Sequence, residues 1–525
     1  MAHMVRATLT TFPKNIMKTR TIKLSLLSAL MTTLIMLPAQ RMTAQTFTNL
    51  YSFSEAAYDA SLGTSTNSDG YSPLTGVIIA GNVLYGAALD GGTNGNGTLF
   101  SFNTSGGNFA TLHTFAAERE NGQYLNGIHI STNQDGSEPL GSLVLAGGIL
   151  YGAAQSGGTN GTGTVFAMNT NGTGFTILHT FAAEAANSGF IITNADGIYP
   201  NGALLLLGNT LYGTTVSGGT NGYGTIFSLT TNGTAFTVLH AFNSTNGRNI
   251  QGGLIASGLN ILYGSAANGG TNDSGLVFAI NTNGTGYADL YSFAVQGYDF
   301  DNNANTNRDG LSPNGGLALL GNTLFGTAQS GGTNGVGTIF AVNTNGAGFT
   351  SLYTFSGGTD DSDSPGTLGL SSSGSILYGT GGGGAYSEGT VFSINTNGTG
   401  FTILYSMNDS DIYPDGFGPG GGVALAGNTL YGANINGGAG SSGSIFALTL
   451  GAVAPATPPG LTIRQAGTNI LVMWPTNFAG YRLEFTTNLT PPLWYTNLPA
   501  AVVVSTNYTV TNGIFYTRRF FQLSQ

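Results

Sequence analysis

The chain has no cysteine, and only 7% of its 525 residues are charged. Without cysteine there is no disulfide, no thiol nucleophile, no cysteine-ligated metal and no cysteine-linked lipid anchor. Lysine occurs only at Lys14, Lys18 and Lys23, so the chain beyond residue 44 holds 7 Arg against 23 Asp and Glu, a formal charge of −16. Such a surface repels phosphate backbones and anionic membranes, which argues against nucleic acid as a partner. Long apolar runs are also scarce. One stretch, residues 24–37, follows Lys18, Arg20 and Lys23 and precedes Ala39 and Ala44. This is the pattern of a secretion signal over residues 1–44, with Met17 as a natural start and a mature chain beginning near Gln40 or Gln45. Fourteen residues are short for a bilayer crossing, so no stable transmembrane anchor is expected. The product is expected outside the cytoplasmic membrane, as a monomer.

What is present is glycine, 85 residues of it, together with Asn and Thr in a repeat. The tripeptide LYG, or LFG once, begins at Leu84, Leu150, Leu211, Leu262, Leu324, Leu377 and Leu430. Thirty-one residues later a Phe closes five copies (Phe115, Phe181, Phe242, Phe293, Phe355), and Met407 closes the sixth one residue early. Self-similarity at this period marks a repeat array. Each copy divides into four strand-like pieces, clearest in the fifth: residues 316–320, 323–327, 338–342 and 349–355. Strand-favouring runs joined by Gly-Asn turns read as antiparallel hairpins, and four such strands per unit make the blade of a β-propeller.

The ends of the array choose between a ring and an open stack. It begins with an isolated fourth piece at residues 47–53 and finishes after a third piece at residues 443–450. Counting both ends gives seven of each piece, so the first strand is expected to complete the last blade. An open solenoid would need polar capping repeats, and these terminal pieces are apolar. The expected fold class is therefore all-β: a seven-bladed β-propeller over residues 45–450, closed by its N-terminal strand.

The repeat resembles the GloVer repeat of secreted proteins, named for its occurrence in Gloeobacter and Verrucomicrobia. The shared pattern is a DGxxP turn, a GL-containing strand, GN(T)LYG, a GG(T)NGxGT stretch, and [VI]F before a final aromatic strand. The resemblance covers residues 47–450 and implies export and varied C-terminal sorting modules, with no assigned chemistry to carry over. Copy four departs, with Asn246-Gly247 and no DGxxP turn. Copy six has GGGGAYSEG in place of GGTNGxG. Those two blades are expected to lack whatever the turn does.

A Pro- and Ala-rich linker, residues 451–460, follows the array. Residues 461–525 hold both tryptophans, Trp474 and Trp494, and alternate apolar and polar residues over several short runs. They are expected to form a small immunoglobulin-like or fibronectin-like β-sandwich of six or seven strands. The WP, TTNL and FFQL elements resemble C-terminal modules of secreted verrucomicrobial proteins.

Functional candidates sit where the repeat is irregular. From the residue that closes one copy to the Leu of the next LYG the spacing varies from 19 to 34 intervening residues, and insertions on rigid scaffolds carry function. Of 22 acidic residues in the array, 18 lie in these connections, as do Arg119, Arg248 and Arg308. Alternating strand direction places them on the same face as the second-to-third connections. One face is thus expected to be acidic and variable, the other uncharged and built from Gly-Asn turns.

Four connections share TNxDG: Asn67 and Asp69, Asn133 and Asp135, Asn194 and Asp196, Asn307 and Asp309. The last extends upstream through Asp301, Asn303 and Asn305. Alternating oxygen ligands followed by glycine suit a calcium loop. The same residues also stabilise plain turns, and no bidentate Glu follows at EF-hand spacing, so both readings stand. His113, His179 and His240 share one slot with Tyr51, Tyr291, Tyr353 and Tyr405 and are expected to pack, not to ligate a metal. The LYG glycines are expected at blade-packing positions where another segment approaches closely.

Two functions remain. One is a secreted or surface-associated binding or structural module that contacts an extracellular glycan, a surface protein or a cation. The other is an extracellular carbohydrate hydrolase or lyase with symmetry-breaking residues such as Glu118, Arg119 and Glu120, or Asp299, Asp301 and Arg308.

Overall fold

The computed structural model describes residues 45–125, 128–184, 191–299, 304–357, 362–363, 365–366, 368–370, 375–408 and 415–450, and in the C-terminal part 461–466, 469–475, 482–487, 502–504, 507–513 and 520–524. The chain divides into two units, one of them Gln45–Leu450. Among the described residues that unit holds seven antiparallel sheets of four or five strands on one design, and no helix. In the fifth repeat the strands are Ala318–Leu320, Thr323–Ala328, Thr338–Asn343 and Thr350–Thr354, paired in sequence order. The last sheet takes its fourth strand from the start of the array: Thr46–Ser52 pairs antiparallel with Ser444–Thr449, Phe47 opposite Leu448.

The LYG motif follows from burial on both sides. Second and third strands read as continuous apolar runs because each of their faces is covered. Leu and Tyr point to opposite faces of the strand, as successive residues must. Tyr85, with Leu99 and Phe115, packs on Leu150 and Phe166 of the next sheet. Tyr151 and Phe181 likewise meet Leu211 and Phe227, and the relation repeats through the array. Tyr431 and Ile445 of the seventh sheet, with Phe53, share a core with Leu84 and Phe100 of the first.

The glycine of LYG has a different role from the one expected. Gly152 pairs directly with Phe166 on the adjacent strand of its own sheet, and a Cβ there would stand 2.5 Å from the ring's Cζ. The close approach is thus within a sheet: the Phe ring lies over the glycine and fills the space a side chain would take.

A bulge recurs where third and fourth strands pair, between Val165 and Phe166 for example. It precedes the Tyr/His slot and turns that side chain toward the following sheet. Seven near-parallel stacks result, among them His113 on Phe175 (3.8 Å between centroids), His179 on Phe236 (3.7 Å), Tyr405 on Phe47 (4.1 Å) and Tyr51 on Phe109 (3.9 Å). The histidines and tyrosines of this slot pack, as their interchange in sequence implies.

Three long connections are not plain loops. They carry two-stranded hairpins: Ala57–Asp59 with Thr64–Thr66, Arg119–Leu125 with Ile128–Thr132, and Gly297–Asp299 with Ala304–Thr306. In the C-terminal unit Thr462–Ala466, Asn469–Pro475, Asn507–Gly513 and Val502–Val504 form one sheet, and Arg482–Thr486 pairs with Phe520–Ser524. Val472, Trp474, Phe485, Val510 and Phe521 are its core. Trp494 lies outside the described residues.

Candidate functional site: the loop face

Fourth-to-first and second-to-third connections meet on one face, where the Asn67 amide N–H donates to Gly92 O (3.2 Å). The two kinds of short turn meet on the other, where the Thr104 amide N–H donates to Asn82 O (2.9 Å). Among the described residues, Glu55, Asp59, Glu118, Glu138 and Glu184 bring carboxylates to the first face from fourth-to-first connections, and Asp90, Asp273 and Glu388 add to it from second-to-third connections.

The TNxDG residues form brackets. Asn194 accepts at Oδ1 from the Gly197 and Gly219 amides (2.8 Å each), while its Nδ2 donates to Ala182 O (2.9 Å) and Gly197 O (2.8 Å). It ties its own turn to the end of the fourth strand and to the glycine stretch. Asn67, Asn133 and Asn307 make the same set of bonds. Asp196 accepts from the Ala182 amide (2.9 Å) and lies 2.8 Å from His179 Nε2. Asp135 repeats this with Ala116 and His113, Asp309 with Ala294 and the Tyr291 hydroxyl, and Asp69 with Ser54 and the Tyr51 hydroxyl. Burial and the facing carboxylate push the pKa of Tyr51 and Tyr291 upward. Asp301 and Asn303 lie outside the described residues, and among those described no three His, Asp or Glu side chains converge as a metal site would require.

One bracket residue escaped the motif. Asp415 accepts from the Tyr405 hydroxyl (2.6 Å) and the Asn408 amide (3.2 Å), and its Gly-x-x-Pro sequence was the available signal. Copy four, expected to lack the turn's role, keeps it in altered form. Asn246 Oδ1 accepts from the Asn243 amide (2.7 Å), and its Nδ2 donates to His240 Nε2 (3.2 Å). Accepting requires a neutral imidazole, and burial lowers the His240 pKa.

The proline of DGxxP has a seat on the preceding sheet. A Cβ on Gly163 would lie 2.6 Å from Pro200 Cδ, and one on Gly97 at the same distance from Pro139 Cδ. The residue before the proline is left-handed (Glu138 φ 54°, Tyr199 φ 59°), which lets its amide reach the sheet before: Glu138 donates to Asn96 O (3.1 Å) and Tyr199 to Thr162 O (3.2 Å).

Against this regular frame one acidic group breaks the symmetry. Glu138 takes the Ser156 hydroxyl (3.0 Å) at Oε2, and Glu118 takes the Ser137 hydroxyl. Burial, then the charge of Glu138, raises the Asp90 pKa to about 6. Burial also raises Glu118, against the Ser137 bond and with the Glu138 charge. Burial raises Glu184, and it raises Tyr199 together with Glu184 and Glu138. Sequence reading singled out Glu118 but not Asp90, Glu138 or Glu184. Arg119, exposed, opens the adjoining hairpin, while the side chains of Glu120 and Asp299 lie outside the described residues. Arg308, 85% exposed, lies beside Asp309 (3.3 Å) in the connection after repeat four, not with Glu118 after repeat one. Tyr58 (70% exposed) and Tyr298 (47%) project from two hairpins.

The segments that lead into the first strands of the seven sheets line a cavity of about 730 Å³. None of its lining side chains is charged.

The fold and the loop face define a repeat-built, all-β, propeller-like protein. The Gloeobacter/Verrucomicrobia repeat model matches residues 40–190, 119–307 and 295–456, so the chain belongs to that family. No curated protein matches it. Among solved structures it is similar to a GH74 xyloglucanase from Xanthomonas campestris (9% identity, 82% of this chain and 59% of that one, TM-score 0.48). It is also similar to an oligogalacturonate lyase in complex with manganese (11%, 78% and 96%, 0.44). A third is the extracellular domain of a one-component system from B. thetaiotaomicron (10%, 88% and 49%, 0.42).

Proposed function

We propose that residues 45–450 are a closed seven-bladed propeller, exported by the N-terminal signal, that serves as a binding or structural module through its loop face. Strand pairing between Thr46–Ser52 and Ser444–Thr449, and the core shared by Tyr431 and Leu84, support closure. The C-terminal strands fit a small immunoglobulin-like or fibronectin-like sandwich that spaces or attaches the module.

One observation carries the functional reading. The polar residues that recur from copy to copy are consumed in brackets between connections, while those that differ gather on one solvent-facing side. Recurrent residues hold the frame, and the irregular carboxylates and tyrosines are left to meet an extracellular glycan or surface protein. On this reading the TNxDG loops are structural turns and not calcium sites, because their oxygens already accept N–H and O–H donors. A second reading, a carbohydrate hydrolase or lyase, is favoured by Asp90 alone: a carboxyl with pKa about 6 beside Glu138 suits proton transfer. A glycan and polysaccharide screen of residues 45–525 tests both. Retention without product supports the module; product release supports the enzyme; neither retention nor release counts against both.

A further inference from the structure

We infer that the loop-face end of the cavity lined by the segments leading into the seven first strands binds an uncharged saccharide. The inference rests on the binding-module reading and names a ligand class that the acidic rim alone does not.

A volume of about 730 Å³ is that of a small-molecule site. Its walls are mostly backbone, because glycines bring these segments together; a Cβ on Gly202 would stand 2.7 Å from Gly252 O. Five copies supply a glycine at one place in this frame (Gly141, Gly202, Gly252, Gly315 and Gly421), but the position before it does not repeat. The residue that follows the DGxxP proline, or stands in its place in copy four, is Leu74 and Leu140 in the first two sheets. It is Asn201, Gln251 and Asn314 in the next three, and glycine in the last two. The opening is therefore sided, with an apolar wall, an amide wall and a gap. The Asn314 Nδ2 donates to Gln329 Oε1 (2.8 Å), which fixes one carboxamide at the rim.

A sugar ring matches that chemistry. Its C–H face is apolar and suits the leucines, and its hydroxyls donate to and accept from carboxamides. An anionic ligand is disfavoured twice. No lining side chain could pair with it after desolvation, and an anion would also meet the carboxylates of the surrounding face.

Isothermal titration of residues 45–525 with cellohexaose, xylohexaose and mannohexaose, and with hexagalacturonate as the charged counterpart, tests the inference. At least one neutral hexamer is expected to bind, and hexagalacturonate is not. Gln251→Leu, at an exposed side chain that folding tolerates, and Asn201→Leu, checked by an unchanged melting curve, should each weaken binding tenfold or more. Leu259→Ser, in a turn on the opposite face, should leave it unchanged. Binding that survives both amide changes but is lost in Tyr58→Ala/Tyr298→Ala overturns the cavity site and leaves the module reading standing. Binding of hexagalacturonate alone overturns it in the same way. Failure of every probe here, together with no retention in the wider screen, overturns both.

Discussion

Asp196 and Asp90 are both carboxylates on the loop face, and the structure gives them opposite effects on stability. Asp196 accepts from the Ala182 amide and lies against His179, so Asp196→Ala strands both partners. A buried group left unsatisfied costs about 1–3 kcal/mol, and a loss of that size is expected in urea unfolding. Millimolar calcium after chelation should leave the wild-type melting curve unmoved; a rise that Asp309→Ala abolishes would return these loops to a cation role. Asp90 behaves in reverse. Its native pKa of about 6 exceeds the ordinary carboxylate value of 3.8, so between those values the native state binds more protons and stability grows as pH falls. Asp90→Asn should therefore stabilise the domain above pH 6, on the order of 1 kcal/mol once solvent screening is allowed for, and remove that slope. His240 has the contrary sign: burial lowers its pKa, so the unfolded chain protonates first. Its contribution is whole above about pH 6.5 and is lost as pH falls below that, a slope that His240→Tyr should flatten in a pH series of unfolding curves. At this scale the Asn and Asp positions were legible because the motif repeats. Their partners were not, since His179 stands 17 residues before Asp196 and only the fold brings them together.

Strands were legible as elements because the apolar runs are bounded by Gly and Asn on each side. What the sequence left open was which surface each glycine faces. Gly152→Ala drives a Cβ into Phe166 of the same sheet, whereas Gly163→Ala drives one against Pro200 of the next and the Gln155 and Ala154 carbonyls of its own, and does so at φ 100°. Each should destabilise by roughly 1–3 kcal/mol. A double-mutant cycle separates them: Phe166→Leu should recover part of the Gly152→Ala loss and none of the Gly163→Ala loss. Equal recovery in both would contradict the assignment of the contacts. The three hairpins were missed for a physical reason. Segments such as Ala57–Asp59 and Thr64–Thr66 are short and polar and carry no alternation to mark them as strands.

For the whole molecule, the offset ends were the most informative feature in the sequence, since a fourth strand without its sheet precedes a sheet without its fourth strand. The packing adds a relation that sequence could not supply: Leu faces the preceding sheet and Tyr the following one, so every sheet depends on two neighbours. Loss of any one interface should then propagate. The acidic group around Glu138 was legible only in Glu118, because Asp90, the pair Glu118 and Glu138, and Glu184 come from three different connections and no spacing links them. Closure by the N-terminal strand is the claim on which this account depends, and amide hydrogen exchange across Ser444–Thr449 tests it directly. A chain lacking residues 45–53 should lose protection in that strand, which would become an exposed edge, and with it protection in Val83–Ala88 of the first sheet. Unchanged protection in both strands would contradict it.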